Sequence, residues 1–384
     1  MCSENFKEQI PMRFTLSSTA LSSKLIALSR VINTKSSLPI LSDFVFEVDG
    51  NTLRLTASDS ENMMKTSVEL NESDDSGTFA IGSHYLLEAV KGFSEQPITF
   101  EVNREENLAK IIYQNGQFSL PIEDADEFPQ ALQVGDGANV ITIASGMLAD
   151  NINRSVFATG DDPLRPVMNG IYFDLTQECL TIVASDGRKL VRNKVLTVAS
   201  DVPASFILPK KPTLLLKNLL GKDGGDVTIK FDDHNAEISF DDCLIACRLI
   251  EGRYPNYNSV IPHDNPNQLT VDRVALLSAL RRVQPFANSG NLIRFHMENG
   301  VLQLDAEDYD FSRTATEKMS CEYGGMPMSI GFKGSAFIEI LSNFDCQDVV
   351  LQLADPSRAG VVVPSEQPEN QDVLMLLMPM LINE

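Results

Sequence analysis

Histidine and cysteine are scarce and scattered in this sequence, which argues against a metal site and against a disulfide framework. No two of the four histidines lie close enough in sequence to suggest a zinc site. The six cysteines include no C-x-x-C pair, so we expect buried free thiols of a protein in a reducing cytoplasm. These residues are His84, His234, His263 and His296, and Cys2, Cys179, Cys243, Cys247, Cys321 and Cys346. We expect neither a metal nor a cofactor.

Long apolar runs are also missing. No run approaches the roughly 18 to 20 apolar residues that a bilayer-spanning helix requires, so we do not expect a membrane protein. The first twelve residues, MCSENFKEQIPM, hold two acids and no apolar block, which is not the pattern of a secretory signal. Pro11 suggests a flexible leader. We therefore expect the fold to begin near Met12, with residues 1–11 as an N-terminal extension.

What the sequence does contain is a threefold repeat. Residues 182–191 read IVASDGRKLV, which predicts a strand, a tight turn at Gly187 and a second strand. Related segments occur 127 residues earlier, at 55–59, and 122 residues later, at 304–308. A chain of 384 residues is larger than one hydrophobic core usually becomes, which predicts two or three domains, and the repeat favours three of ordinary size.

Each repeat shows the same order of elements: an apolar helix pattern, two alternating strands joined by a short turn, a second helix pattern and further strands. The predicted helices cover residues 16–35, 84–93, 145–157, 207–222, 272–285 and 333–344. Linkers rich in turn formers follow the first two repeats and place the domains at 1–137, 138–264 and 265–384. The expected fold class is α+β, with two helices packed on antiparallel strands in each domain.

Positive charge is concentrated on the predicted helices. These segments hold thirteen basic and four acidic residues, a net charge of about +9, whereas the rest of the chain carries −31 of a total of −22. Solvated helix faces favour Lys and Arg, but they favour Glu equally, so helix propensity does not explain the segregation. We expect the helices to share a face that meets an anionic partner. No base-reading motif accompanies these residues, which favours contacts to phosphates that are independent of sequence.

Recognisable catalytic motifs are absent: there is no P-loop, dinucleotide glycine fingerprint, nucleophile elbow or H-E-x-x-H. Asp186 and Lys189 could form an acid/base pair, which keeps a hydrolase or transferase open as an alternative. An Asp that recurs at a turn, as Asp59, Asp186 and Asp308 do, is more simply a turn former that accepts backbone N–H groups. We therefore expect no enzymatic activity.

The apolar stretch 376–380 near the chain end allows two interpretations. Soft methionine side chains suit a binding groove, but the same composition is typical of a last core strand. Composition alone leaves both open.

Several motifs together resemble the bacterial sliding clamps, the beta subunits of DNA polymerase III. They are LPIL at 38–41, VASDGRKL at 183–190, EGRYPNY at 251–257 and MPM at 378–380, set in three repeats of about 125 residues from Met12 onward. The resemblance implies three tandem clamp modules and a head-to-tail homodimer closed into a ring, with helices lining the hole. Basic helices would then face duplex DNA and the acidic exterior would repel it.

The resemblance also implies two sets of site residues. By position, the DNA-binding candidates are Lys35, Arg154, Arg165, Lys210, Lys211, Lys217, Arg281 and Arg282. A pocket for short linear motifs of the polymerase catalytic subunit, the clamp loader and repair proteins would be lined by Met168, Ser185, Gly187, Arg188, Leu190, Pro255, Val260, Leu377, Met378, Pro379 and Met380. The sequence departs from the family pattern at the pocket rim, at Lys333, Ala336, Ser259 and Asn291.

The function implied is that of a cytoplasmic, non-enzymatic clamp that encircles duplex DNA and makes a polymerase processive. The alternative from another class is an acidic tandem-repeat scaffold that binds proteins and never encircles DNA.

Overall fold

The computed structural model describes residues 11–33, 35, 36, 38–130 and 132–382. The predicted N-terminal extension lies outside the described residues except for Pro11, and so does Cys2.

Six α-helices form within the described residues, one at each predicted position. Two flank each predicted hairpin, as the repeat requires, and each is shorter than its apolar pattern because strands or tight turns occupy the ends. They are α1 (Ser18–Ser29), α2 (Ser83–Lys91), α3 (Ser145–Val156), α4 (Lys210–Leu219), α5 (Arg273–Val283) and α6 (Gly334–Ser342).

Strands make up most of the remaining structure. Before α3 they are β1 (Met12–Ser17), β2 (Asp43–Asp49), β3 (Thr52–Ser58), β4 (Asn62–Glu69), β5 (Glu72–Ser73), β6 (Gly77–Gly82), β7 (Pro97–Asn103), β8 (Leu108–Tyr113), β9 (Gly116–Glu123) and β10 (Asn139–Ala144). Between α3 and α5 they are β11 (Gly170–Leu175), β12 (Leu180–Ser185), β13 (Lys189–Val195), β14 (Ala204–Pro209), β15 (Asp226–Phe231), β16 (Asn235–Phe240), β17 (Cys243–Arg248) and β18 (Asn267–Asp272). After α5 they are β19 (Leu292–Glu298), β20 (Val301–Asp308), β21 (Arg313–Ser320), β22 (Glu322–Tyr323), β23 (Met328–Lys333), β24 (Asp348–Leu353), β25 (Gly360–Pro364) and β26 (Gln371–Leu377).

The three predicted hairpins are present as β2–β3, β11–β12 and β19–β20, all antiparallel. The chain divides into two compact units, one containing the residues up to Ser145 with Asp223–Arg248, the other Gly146–Lys222 with Leu249 onward. These units cut across the middle repeat, because β15, β16 and β17 belong to the first unit. The domain boundaries near 137 and 264 therefore stay a prediction.

The first unit has a phenylalanine-rich core. The rings of Phe14 and Phe100 stack with centroids 4.9 Å apart, and Phe46 and Phe79 stack at 5.2 Å. All four side chains are fully buried and come from alternating positions of β1, β7, β2 and β6. Burial of such rings supplies much of the hydrophobic stabilisation of a sheet.

The second unit buries the predicted apolar chain end. β26 pairs antiparallel with β13 over seven residue pairs, from Lys189↔Leu377 to Val195↔Gln371. Leu376 joins Val183, Leu190, Ile207 and Val361 in one buried cluster. The interpretation of this stretch as a core strand is therefore correct for β26, although it does not exclude a pocket at the end of that strand.

The five described cysteines are free; Cys179 and Cys247 are buried as expected, whereas Cys243, Cys321 and Cys346 are half-buried. Burial raises the pKa of the Cys243 thiol to about 11 and that of Cys247 to about 12. Among the described helices, none has the length and apolar character needed to cross a bilayer.

A buried carboxyl in the first unit gives a pH-dependent prediction. Burial, and secondly the charge of Glu123, raise the pKa of Asp43 from 3.8 to about 6. The folded state therefore holds a proton that the unfolded state releases between these values, and this group's contribution to stability falls as the pH rises through 6.

We expect Asp43→Asn to raise the free energy of unfolding by about 1–3 kcal/mol at pH 7.5 and by clearly less at pH 4.5. Denaturant titrations at the two pH values measure this, with the exposed Asp136→Asn as the matched control. An equal gain at both pH values would contradict the assignment.

Candidate functional site

An apolar pocket of about 320 Å³ opens in the second unit. Its walls come from the β12–β13 turn, a 3₁₀ turn at Pro166–Met168, the segment 254–260 and the end of β26. It is lined by Arg165, Met168, Ser185, Gly187, Arg188, Lys189, Leu190, Tyr254, Pro255, Asn256, Tyr257, Val260, Leu376 and Met378.

The β12–β13 turn is built by its own side chains. Asp186 Oδ1 accepts the backbone N–H groups of Arg188 at 2.8 Å and Lys189 at 2.9 Å. The Ser185 hydroxyl donates to the Lys189 carbonyl at 2.8 Å and accepts the Gly187 N–H at 3.1 Å. Asp59 accepts two backbone N–H groups in the same way in the first repeat. The prediction that Asp186 is a turn former is confirmed.

Gly187 is favoured at this turn chiefly by its backbone conformation. Its φ of +87° lies in the left-handed region that disfavours other residues. A Cβ atom there would also lie 2.8 Å from Arg165 Nη1 and 3.8 Å from Met168 Cε. The bare backbone thus lets the 3₁₀ turn close one side of the pocket.

Stacked tyrosines form the pocket's floor. The rings of Tyr172 and Tyr254 are parallel, with centroids 4.7 Å apart, and the Tyr257 hydroxyl donates to Asp174 Oδ2 at 2.8 Å. Burial raises the pKa of both Tyr254 and Tyr257, so each stays neutral at physiological pH. Tyr254 and Tyr257, with Tyr172 packed behind them, therefore present an uncharged aromatic surface, which suits apolar side chains of a ligand.

The chain end closes the opposite side. The Met378 N–H donates to the Arg188 carbonyl at 2.8 Å and continues the β13–β26 ladder by one bond. The Met380 N–H then donates to the Gly331 carbonyl at 2.8 Å, which turns the chain toward β23.

Eight of the eleven residues predicted for the pocket line it, whereas Leu377, Pro379 and Met380 do not. Leu377 alternates with Leu376 along β26 and points to the other side of the strand. Sequence reasoning missed Lys189, Tyr254, Asn256, Tyr257 and Leu376, and it assigned Arg165 to DNA. The EGRYPNY motif was the available signal for the two tyrosines and the asparagine. The assignment of these residues to partner binding stays a prediction.

A second depression, the rim cleft, adjoins the pocket and shares Arg188, Lys189 and Met378 with it. It has a volume of about 610 Å³ and holds the three predicted residues that the pocket lacks. Its lining is Asp186, Arg188, Lys189, Ser289, Gly290, Lys333, Ser335, Ala336, Glu339, Leu377, Met378, Pro379 and Met380.

Asn291, predicted at the rim, instead caps α6. Its backbone carbonyl accepts the Gly334 N–H at 2.8 Å, and its side-chain oxygen accepts the Ser335 N–H at 2.7 Å. Its φ of +60° lies in the left-handed region that Asn tolerates, and in this conformation both its carbonyl oxygen and its side-chain oxygen face the N-terminus of α6.

The eight DNA-binding candidates differ in the solvent exposure of their side chains and in whether these have a hydrogen-bond or ion-pair partner. Lys35 follows α1 and is exposed, and Lys217 and Arg281 are exposed in the last turns of α4 and α5. Arg282 is exposed beside them, but its guanidinium pairs with Glu317 and holds the pKa of that carboxyl below its ordinary value. Lys211 is half-buried in the first turn of α4.

The other three candidates have carboxylate or amide partners. Lys210 Nζ lies 2.8 Å from Asp161, and Arg165 Nε lies 2.9 Å from Asp162. Arg154 is buried and donates to Gln371 Oε1 at 2.8 Å. Its guanidinium is thus occupied inside the second unit, which makes it the weakest candidate for a phosphate contact.

Sequence profiles of one family match nearly the whole described chain. The N-terminal, central and C-terminal domains of the DNA polymerase III beta subunit match residues 12–133, 142–256 and 258–381. These matches confirm the resemblance drawn from the repeats, and with the observed elements they confirm three tandem α+β modules.

Individual relatives agree with the profiles. The beta sliding clamp of Pseudomonas aeruginosa is 26% identical over 96% of this chain and 100% of its own length, and that of Proteus mirabilis is 27% identical over 94% and 96%. A crystal structure of the Pseudomonas aeruginosa sliding clamp bound to griselimycin superposes with a TM-score of 0.91, at 26% identity over 97% of this chain and all of that one. The Bacillus subtilis sliding clamp, at 20% identity, shares the fold with a TM-score of 0.90 over 97% of this chain and all of its own.

Proposed function

Because the chain belongs to the DNA polymerase III beta-subunit family, whose members are non-enzymatic sliding clamps of DNA replication, we propose that two copies close head to tail into a ring around duplex DNA. The hydrolase alternative loses its basis, since Asp186 is engaged by two backbone N–H groups. We also propose a cytoplasmic location, where replication takes place.

The observation that carries this proposal is a rule of strand pairing between successive repeats. β4, which follows the hairpin of the first repeat, pairs antiparallel with β17, the last strand of the second. β13, which follows the second hairpin, pairs in the same way with β26, the last strand of the third. At both junctions, the strand that follows one repeat's hairpin pairs with the last strand of the next repeat, so the middle repeat pairs with a neighbour on both sides.

Applying the same rule to the outer repeats leaves two strands, β21 and β9, each with an edge that no described strand of another repeat covers. β21 follows the third hairpin and ends its four-stranded sheet, and no described strand covers its outer edge. β9 is the last strand of the first repeat; among the described strands it pairs with β8 and, at Ile122 and Glu123, with β6. Pairing β21 of one copy with β9 of another would satisfy both edges and generate a closed dimer.

The side chains at these edges suit an interface. Phe118 and Leu120 of β9 are only half-buried, and Phe118 belongs to an aromatic group with Phe93 and Tyr113. Two residues before β21, Phe311 is 67% exposed. In both observed junctions the first residues of the forward strand oppose the end of the last strand, so Phe311 would lie near the end of β9.

Electrostatics support DNA as the enclosed partner. Sliding requires phosphate contacts that are many, interchangeable and individually weak, and exposed basic residues at helix ends provide such contacts. Lys217, Arg281 and Arg282 are also favoured at helix C-termini by the helix dipole, so their position alone does not prove DNA contact. The salt dependence of binding separates the two explanations.

We further propose that the apolar pocket captures short linear motifs of the polymerase catalytic subunit, the clamp loader and repair proteins. Relatives from Pseudomonas aeruginosa and Bartonella birtlesii have been solved bound to griselimycin, which makes this compound a practical probe. Apolar side chains that bind against these tyrosines contribute a binding free energy of roughly 25 cal/mol per Å² of apolar surface removed from water, reduced by the entropy cost of ordering the segment. Micromolar affinity, about −8 kcal/mol, would suit partners that must exchange.

Topological retention tests the ring. We expect clamp loaded enzymatically on nicked circular DNA to stay bound and to escape when the circle is cut, because a closed ring leaves only over a free end. Gel filtration of the DNA–protein complex before and after linearisation measures this. Equal loss from circular and linear DNA would favour the scaffold alternative.

The matched variant is Phe118→Glu with Leu120→Glu, which we expect to halve the molecular mass in solution and to abolish retention. An unchanged thermal melt would show that each chain stays folded. A wild-type protein with the mass of one chain, or a variant that remains dimeric, would refute closure through β9.

Removing basic residues tests the DNA-facing helices. We expect a quadruple alanine variant to show a weaker salt dependence of DNA binding. The slope of log K against log salt concentration should become shallower by up to about 0.9 for each phosphate that is no longer neutralised. The four residues changed are Lys210, Lys211, Arg281 and Arg282. Lys194, Lys230, Arg13 and Arg54 changed to Ala provide a control with the same reduction of charge on strands. If the two quadruple variants behave alike, these helices do not face DNA.

Shortening the chain end tests the pocket. We expect deletion of residues 378–384 to abolish griselimycin binding in calorimetry and Met378→Ala to weaken it about tenfold, roughly 1.4 kcal/mol, while the dimer mass is unchanged. Met326→Ala is the control, since Met326 is 81% exposed and lies outside the pocket. Unaltered affinity after the deletion would place the site elsewhere.

A further inference from the structure

The rim cleft differs from the apolar pocket in its charge. Five ionisable side chains line it, namely Asp186, Arg188, Lys189, Lys333 and Glu339. The apolar pocket adds Arg165 beside its shared Arg188 and Lys189, and no carboxylate lines that pocket. A ligand that extends from the pocket across Arg188 and Met378 therefore remains among basic residues, since three cations and two carboxylates line the rim cleft.

Both carboxylates of the rim cleft already have partners. Glu339 lies 2.6 Å from Lys189 Nζ, and Asp186 lies 3.7 Å from the same ammonium group. Asp186 also accepts the N–H groups of Arg188 and Lys189. Both acids are thus engaged by Lys189 or by the turn backbone, and the five side chains carry a formal net charge of +1.

Arg188 and Lys333 are the cations of the rim cleft whose side chains have no partner among the described residues. Both are exposed, and within the described part of the chain neither side chain has an ion pair or a hydrogen bond. They lie on different elements, the β12–β13 turn and the end of β23, and they line the same cleft.

The position of Lys333 is unfavourable for the folded chain alone. It is the N-cap residue of α6, makes no side-chain cap bond, and no acidic residue stands in the first turn. A cation at the positive end of a helix dipole is destabilising, whereas an anion there is stabilising. An anionic group bound in the rim cleft would reverse this effect.

We propose that the segment captured by the apolar pocket carries an Asp or Glu side chain that lies in the rim cleft and is bound by Lys333 and Arg188. This inference rests on the proposed function of the pocket. The chain's net charge of −22 repels acidic segments elsewhere, so the two cations would set the register of the segment as well as its affinity.

A peptide selection tests the proposal without assuming a partner. Random twelve-residue peptides displayed on phage are selected against the full chain and against Lys333→Glu. We expect wild-type selections to share an apolar cluster with Asp or Glu at one fixed spacing from it, and Lys333→Glu selections to replace that acid by Lys or Arg.

Binding of one selected peptide, measured by fluorescence anisotropy, gives the size of the effect. We expect Lys333→Glu to weaken the acidic peptide about tenfold, and the peptide's own Asp→Lys change to restore part of the affinity on that variant only. Lys333→Arg should bind as the wild type does, and Lys230→Glu, an exposed lysine outside both depressions, is the matched charge control. Lys333→Glu should not lower the melting temperature, because a carboxylate is favourable at a helix N-terminus.

The outcomes distinguish failure of the inferred acidic contact from failure of the proposed pocket. An apolar cluster without a preferred charge, or an affinity unchanged in Lys333→Glu, would overturn the inference and leave the pocket intact. Peptides without an apolar cluster, or peptides that bind equally well after deletion of residues 378–384, would overturn the proposed pocket and the inference with it.

Discussion

The structure depends on the antiparallel pairing of a strand that follows one repeat's hairpin with the last strand of the next repeat. β4 pairs with β17 in the first unit, and β13 pairs with β26 in the second. A sheet edge left open exposes a row of unsatisfied N–H and C=O groups, so each repeat is incomplete until a neighbour supplies a strand. The proposed ring is the consequence of applying this constraint to the two outer edges, β9 and β21, and it needs no interaction that the chain does not already make twice.

The same pairing creates the pocket. β13 begins directly after the Asp186 turn, and β26 carries the chain end to that turn, where the Met378 N–H extends the ladder to Arg188. Leu376 and Leu377 point to opposite sides of β26, one into the apolar pocket and one into the rim cleft, because side chains alternate along a strand. The junction that satisfies this sheet edge therefore also holds two binding surfaces side by side, one mainly apolar with basic residues in its lining and one lined by charges of both signs.

Much of the fold could be predicted from the sequence, since helix and hairpin periodicity are local properties that recur three times. The six helices, the three hairpins and the turn-forming role of Asp186 are of this kind. Pairing across repeats is not local: no pattern in 371–377 identifies β13 as its partner, and hence none says which of Leu376 and Leu377 faces the pocket. Arg154 shows the same limit, because charge and helix position suggested an exposed cation, whereas Gln371, more than two hundred residues later, holds it in the interior.

The ion-pair partners of each basic residue, and not the net charge of the chain, determine which positive charges a ligand can contact. Lys210, Arg165 and Arg282 are basic residues whose carboxylate partners lie within salt-bridge distance, and such exposed pairs are weak enough to exchange for a phosphate. Lys189 is different, because its ammonium group pairs with two carboxylates and lies 5.5 Å from the centroid of the Phe157 ring. Its charge therefore contributes to the folded chain and is less available to a ligand. Arg188 and Lys333 have no such partner in the described structure, and Lys333 stands where the helix dipole opposes it. A cation kept at an unfavourable position beside an apolar pocket is most simply explained by the charge of the ligand that completes it.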